Sequence, residues 1–197
     1  MPQPGTIKIW DPLVRLFHWS LVLAFAIAYF TEEDLLDLHV WAGYTVLGLI
    51  LFRIFWGFVG PRYAQFKNFV YSRNTIKAYI KDIFAFRAKR YLGHNPAGGA
   101  MIILLIIFLL ITTFSGLVTY GIEKHAGPLA PWLSHLGDFW EDVAEDIHEF
   151  FANFTLVLVF VHVSGVIFES RLHHENLVKS MFNGYKKRND TIDSGNH

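Results

Sequence analysis

The 197-residue sequence contains no cysteine. This absence excludes disulfide bonds, thiolate-bound iron–sulfur clusters, haem attachment through C-x-x-C-H and nucleophilic cysteine chemistry. The sequence also lacks the features of a cleaved secretory leader. It starts with Met-Pro-Gln-Pro-Gly and has no basic stretch leading into a short apolar run with a small-residue cleavage site. We therefore expect the first apolar segment to be retained.

Hydrophilic stretches long enough for a soluble domain are also missing. Apolar residues make up 53% of the chain, and the mean hydropathy is +0.32, which is too hydrophobic for an ordinary soluble domain. Four segments are long and apolar enough to cross a bilayer, at about residues 13–30, 38–59, 100–120 and 147–168. The predicted fold class is an all-α integral membrane four-helix bundle, in a single domain over residues 1–197. Nucleic acid is not an expected partner.

The connections after the first and third spans almost lack basic residues. They hold one lysine, Lys124, and ten carboxylates. The other sixteen Lys and Arg residues lie in the N-terminal stretch, in the C-terminal tail, and in the second-to-third connection with the adjoining end of the second span. The positive-inside rule then predicts a multi-pass membrane protein with both termini cytoplasmic.

Membrane lipid is a predicted partner of two basic segments. Residues 74–90 predict an amphipathic helix on the cytoplasmic side, with apolar residues at helical spacing: Ile76, Tyr79, Ile80 and Ile83. We expect this helix to lie on the membrane surface and bind anionic headgroups. The basic run at residues 186–188 is expected to contact headgroups as well.

Four of the ten histidines lie in the predicted spans: His18, His39, His148 and His162. His148 and His162 are fourteen residues apart, about 40° short of four full helical turns, so both imidazoles point the same way at levels about 21 Å apart. Antiparallel helices place His39 level with His148 near the outer surface, and His18 level with His162 near the inner surface. A single intramembrane histidine is often only an interhelical hydrogen-bond donor, but two depth-matched pairs are hard to obtain by packing alone.

Two imidazoles at each level fit a six-coordinate haem iron. Zinc fits poorly, because a structural zinc site needs four ligands and a catalytic site needs three and a water. The sequence therefore predicts two haems stacked between the helices. Two glycines on the ligand faces, Gly43 after His39 and Gly165 after His162, would let a flat macrocycle approach the backbone.

Arginines are expected to pair with the propionates of the inner haem. Arg15 lies one turn before His18, and Arg53 reaches the depth of the inner pair, where a buried arginine needs an anionic partner. His94, in a Gly/Pro-rich loop before the third span, is a candidate polar group for propionates or a quinone, although such a loop needs no function. The remaining histidines are expected to be solvated, with His135 the main rival ligand for the outer haem: His125, His135, His173, His174 and His197.

At these positions the chain resembles the bacterial b561-type cytochromes, including the cytochrome b subunits of nickel–iron hydrogenases. The likeness covers nearly the whole chain. Its carriers are Trp10-Asp-Pro-Leu-Val-Arg-Leu-Phe-His18-Trp, His39-x-x-x-Gly43, Arg53-x-x-Trp-Gly-Phe-Val-Gly60, Gly-His94-Asn-Pro and the spaced histidines of the fourth span. The resemblance implies two b-type haems in a four-helix bundle of the bacterial inner membrane. This bundle would pass electrons between a membrane quinone pool and a redox partner. The partner would be a separate periplasmic protein, either a hydrogenase or a c-type cytochrome.

Other functions remain open from the sequence. A superoxide:quinone oxidoreductase of the same family should steer its anionic substrate with positive potential, and the ten outer carboxylates argue against it. A non-redox scaffold or a transporter with histidine proton relays is the alternative from another class. Bis-imidazole iron has no open position, which favours an electron-transfer subunit. The direction of electron flow, enzymatic quinone turnover and the oligomeric state, a homodimer included, are left open.

Overall fold

The computed structural model describes residues 5–31 and 35–188. These residues form long helices and one small sheet of two three-residue strands, which confirms the all-α class. The elements in chain order are β1 Thr6–Lys8, α1 Pro12–Phe30, α2 Leu36–Val59, α3 Arg73–Phe84, α4 Pro96–Glu123, α5 Ala130–Leu133, α6 Asp138–Leu172, α7 Leu177–Asn183 and β2 Tyr185–Lys187, with a 3₁₀ turn at Phe66–Asn68. By length and hydropathy, α1, α2, α4 and α6 can each cross a membrane. Between 11% and 28% of the most apolar stretch of each is buried, so these helices need a lipid environment.

Two of the spanning helices begin with the same local device. The Asp11 carboxylate accepts hydrogen bonds from the backbone N–H groups of Leu13 and Val14, and Pro12 occupies the first helical position. At the start of α4, the Asn95 side chain accepts from the Gly98 N–H at 2.7 Å, next to Pro96. Each Asx-Pro pair satisfies N–H groups that a helix start would otherwise leave open.

Two helices differ in length from the sequence expectation. The carboxylate-rich stretch before the fourth predicted span is part of α6 itself, which runs unbroken for 35 residues. Carboxylates in its first turn, Asp138 and Glu141, suit the positive end of the helix dipole. The amphipathic helix α3 stops at Phe84, short of the predicted residue 90, because Phe86 turns to a positive φ of 54°.

The chain divides into two compact units, and α1, α2, α4 and α6 each contribute residues to both. Unit 1 comprises residues 1–18, 53–103 and 161–197. Unit 2 comprises residues 19–52 and 104–160. His18 and His162 therefore belong to unit 1, and His39 and His148 to unit 2.

In unit 1, a segment near the N-terminus pairs with a segment near the C-terminus. Strands β1 and β2 pair antiparallel, with Ile7 opposite Lys186. The Trp10 indole N–H donates to Ser180 Oγ at 3.2 Å, and this contact is buried. The segment before α1 is thus fixed to α7, which places the start of α1 and its His18.

Candidate functional site

In unit 2, the imidazoles of His39 and His148 face each other. Their ring centroids are 6.1 Å apart, and the ring planes are perpendicular. With metal–nitrogen bonds of about 2 Å and about 1 Å more to each ring centre, two axial imidazoles place their centroids about 6 Å apart. The observed separation therefore fits one iron held between these two rings.

Backbone carbonyls fix which nitrogen of each ring faces the centre. His39 Nδ1 lies 2.8 Å from the carbonyl oxygen of Ala28, and His148 Nδ1 lies 3.0 Å from that of Thr112. A carbonyl can only accept, so each Nδ1 carries the proton and donates it. Each Nε2 then keeps its lone pair for a metal, which is the arrangement typical of ligating histidines.

Helix α4 supplies the pocket wall that holds His148. A Cβ added to Gly116 would lie 2.8 Å from His148 Cε1, so only glycine leaves room for the ring. Ser115 Oγ lies 3.2 Å from His148 Nδ1, and Thr112 Oγ1 lies 3.1 Å from the fully buried Thr155 Oγ1. Sequence reasoning missed these residues. The sequence feature that could have indicated them is the run Thr112-Thr-Phe-Ser-Gly116, where small and polar residues occur within a largely aliphatic span.

Unit 1 brings together the remaining predicted ligands and cations. His18, His162, His94 and Arg53 all belong to unit 1. The predicted inner-pair residues therefore share one region of the fold.

Arg53 is buried, with 3% of its surface exposed. Its guanidinium carbon lies 5.0 Å from the centroid of the Phe66 ring and 5.8 Å from that of Phe69. Its Nη1 has no hydrogen-bond partner within residues 5–31 and 35–188. A buried cation with an open donor costs free energy unless an anion pairs with it, so the site suits a propionate.

Arg15 makes a contact within the protein besides its predicted contact with a haem propionate. Its Nη1 donates to the carbonyl of Phe182 at 2.5 Å, which ties α1 to α7. Its buried Nε has no hydrogen-bond partner in the described part of the chain. That N–H is the part of Arg15 that remains for a propionate.

His94 is enclosed by two aromatic rings. The centroids of Trp10 and Phe69 each lie 4.6 Å from that of His94. Burial, reinforced by the charges of Arg53 and Lys186, lowers the pKa of His94 to about 3. The imidazole is therefore neutral at physiological pH, so it can offer a hydrogen bond to a propionate or quinone but no charge.

Both predicted glycines leave open space beside their helices. At Gly43 and at Gly165, no described atom beyond the helix backbone lies within 4 Å of an added Cβ. This agrees with a planar group approaching the backbone at either site. In the described residues, no group of three or more His, Asp or Glu side chains could hold a metal ion.

The remaining histidines follow the prediction with one exception. His125, His135 and His174 are exposed. His173 is not solvated: its side chain is 14% exposed and its Nε2 lies 3.2 Å from Glu169 Oε2. The prediction failed because α6 continues to Leu172, which makes Glu169 and His173 neighbours one turn apart. His197 and the carboxylates at positions 32–34 lie outside the described residues.

The predicted headgroup contact at residues 186–188 is wrong for its first member. Lys186 is 8% exposed, its Nζ donates to the Tyr91 carbonyl at 3.2 Å, and the same Nζ lies 3.8 Å from Glu175. Strand β2 turns this side chain inward, because residues alternate between the two faces of a strand.

Comparisons with known proteins indicate the family of this chain. The family model described as prokaryotic cytochrome b561 matches residues 9–184. A protein named probable Ni/Fe-hydrogenase B-type cytochrome subunit from Azotobacter vinelandii is 25% identical over 93% of this chain and 90% of its own length. The probable Ni/Fe-hydrogenase 1 B-type cytochrome subunit of Escherichia coli (strain K12) is 26% identical over 90% of this chain and 89% of its own length. No solved structure gave a significant match.

Proposed function

Because this chain belongs to the prokaryotic cytochrome b561 family, we propose that it is a di-haem b-type cytochrome that transfers electrons across the inner membrane between the quinone pool and a periplasmic redox protein. Membership makes it a multi-pass membrane cytochrome of the b type, with a role in electron transport. The number of haems, the ligands, the quinone and the orientation with both termini cytoplasmic belong to the proposal.

The observation that carries the proposal is the His39–His148 pair. Its centroid separation of 6.1 Å and its two carbonyl-bonded Nδ1 atoms support these two histidines as the residues that would hold a haem iron through Nε2. When bound there, haem supplies reversible one-electron chemistry at an iron with no open coordination position. The residues of unit 2 then orient the imidazoles and hold their tautomers.

The second haem is assigned to His18 and His162 in unit 1. This assignment is supported by the gathering of His18, His162, Arg53 and His94 in one unit. Arg53 would bind a propionate through the open Nη1, and Arg15 would add its Nε. Gly165 would leave the space for the macrocycle beside His162.

The proposed partner is a hydrogenase or a c-type cytochrome. The relatives named as hydrogenase cytochrome subunits support the first. Carboxylates near the start of α6 favour a cationic docking surface on either partner, since Asp142, Glu145 and Asp146 are exposed. The same negative surface disfavours superoxide as a substrate.

A redox difference spectrum with haem quantification tests the proposal. The purified full chain should show b-type bands at two haems per chain, reduced by a quinol or by a hydrogenase with hydrogen. A chain without b-type bands would refute the cytochrome assignment. One haem per chain would refute the di-haem assignment while leaving electron transfer intact.

A further inference from the structure

A groove of about 720 Å³ opens in unit 1 where α6 ends and α7 begins. The turn that forms its floor is well bonded. The backbone N–H of Glu175 donates to the Ser170 carbonyl at 3.0 Å, and that of Leu177 donates to Ser170 Oγ at 3.3 Å. Residues from both helices line the groove: Ile167, Arg171, His174, Val178, Lys179 and Phe182.

The polar side of the groove is cationic. Arg171 and Lys179 are both exposed, and neither forms an ion pair with another described residue. Glu175 is the carboxylate among the described lining residues, and its charge is already engaged. One of its oxygens lies 2.5 Å from Arg90 Nη2, and the other lies 3.8 Å from Lys186 Nζ. The groove therefore presents two uncompensated positive charges.

The other side of the groove is apolar and open. Ile167 is 43% exposed, Val178 is 47% exposed and Phe182 is 60% exposed. Arg171 lies three residues past the predicted end of the fourth span, about 5 Å farther along the helix, at the depth of lipid headgroups. Cations therefore lie at headgroup level beside a hydrocarbon-contacting surface.

We propose that this groove is a binding site for one anionic phospholipid. Arg171 and Lys179 bind the phosphate, and an acyl chain lies along Ile167, Val178 and Phe182. Basic pockets at the cytoplasmic ends of spanning helices bind such headgroups through both charge and hydrogen bonds. A quinone head is uncharged and would gain little from two cations, so the charge favours the phospholipid. The site does not depend on the haem assignment.

Native mass spectrometry of the purified full chain with added phosphatidylglycerol or phosphatidylcholine tests the site. One phosphatidylglycerol should be retained in preference to phosphatidylcholine. Replacing both cations, Arg171→Gln with Lys179→Gln, should weaken phosphatidylglycerol binding about 10-fold to 30-fold. The matched control is Arg62→Gln with Lys67→Gln, which removes the same charge from exposed positions outside both segments expected to contact headgroups and should leave this binding unchanged.

A thermal melt of each variant in detergent shows that it is folded, and the single Lys179→Gln variant should give an intermediate loss if the double variant is unstable. Unchanged binding in folded variants would overturn the proposal, and so would an equal loss in the variant that combines Arg62→Gln with Lys67→Gln. Displacement of phosphatidylglycerol by soluble glycerol phosphate, with no effect of Val178→Ser, would overturn the acyl-chain contact. A short-chain quinone that displaces the lipid and still binds the double variant would reassign the groove.

Discussion

The two units position their histidines by different means. In unit 2, neutral backbone carbonyls orient His39 and His148, and a glycine makes room for one ring. In unit 1, the ligand candidates lie among charged and polar groups, with Arg53 buried and one of its donors open. Unit 2 therefore fixes the orientation of its two imidazoles, whereas unit 1 surrounds its histidines with positive charge. A haem in unit 1 should depend on its cations, and a haem in unit 2 should depend on close packing around the imidazole.

Loss of a ligand should have the largest effect and should separate the units. His39→Ala or His148→Ala should remove the unit 2 haem and keep most of the other, because each unit has its own pair. His18→Ala or His162→Ala should do the reverse. Haem per chain, with the midpoint potential of the haem that remains, measures this. Two haems in all four variants would refute the pairing, and loss of a haem in His135→Ala would reassign a ligand.

Gly116→Val should remove the unit 2 haem nearly as completely. Even a Cβ at this position would lie 2.8 Å from His148 Cε1, too close for the imidazole to keep its place. The ring must then rotate away from His39. Haem content and the ratio of the two haem potentials measure the effect. Gly48→Val in the same unit is the control, because an added Cβ there meets no described atom within 4 Å. Full haem retention in Gly116→Val would show that His148 does not need its present position.

The approach of His39 to His148 and the burial of Arg53 could be predicted from the sequence because side-chain type and helical spacing encode them. The oxygens that fix the tautomers in unit 2 could not, since they are the backbone carbonyls of Ala28 and Thr112 and any residue supplies one. Gly116 was missed because its partner is a ring 32 positions away on another helix. His173 was misjudged because its environment depends on where α6 ends.

Arg53→Leu should affect the unit 1 haem selectively. Loss of one partner of a buried charge pair costs about 3–5 kcal/mol because the other charge stays unpaired. Haem occupancy in unit 1 should fall, or its midpoint potential should drop, because a nearby cation favours the reduced iron. Arg53→Lys keeps the charge and should lose less, while Arg62→Leu, an exposed arginine of the same unit, should change nothing. An unaltered unit 1 haem in Arg53→Leu would refute the claim that this haem depends on the cations of unit 1.

Charge reversal at the start of α6 should act on partner association without altering either haem. Electron exchange with a cationic partner at low salt should slow when lysine replaces four carboxylates together: Glu141→Lys, Asp142→Lys, Glu145→Lys and Asp146→Lys. These replacements should also flatten the salt dependence, because complementary charge acts mainly on association rate and is screened over about 8 Å at physiological salt. Stopped-flow rates against ionic strength measure this, with haem potentials as the control. A rate indifferent to salt and to charge reversal would leave these carboxylates as a topological signal alone.

The smallest expected effect is that of Ser115→Ala on the potential of the unit 2 haem. This variant distinguishes the two contacts of His148 Nδ1, which are Ser115 Oγ and the Thr112 carbonyl. Ser115 Oγ lies 3.2 Å from His148 Nδ1, and it also donates to the Thr112 carbonyl at 2.9 Å. Ser115→Ala removes a weak acceptor from the imidazole, but it also frees the carbonyl to accept more strongly, so the two changes oppose each other. A net hydrogen bond contributes about 1 kcal/mol, which corresponds to about 40 mV for one electron. The unit 2 potential should therefore move by less than about 40 mV with full haem content.

Thr113→Ala is the control, because the Thr113 hydroxyl bonds to the carbonyls of Leu109 and Leu110 and not to His148. Haem loss in Ser115→Ala alone would mean that the serine, rather than the carbonyl, orients His148.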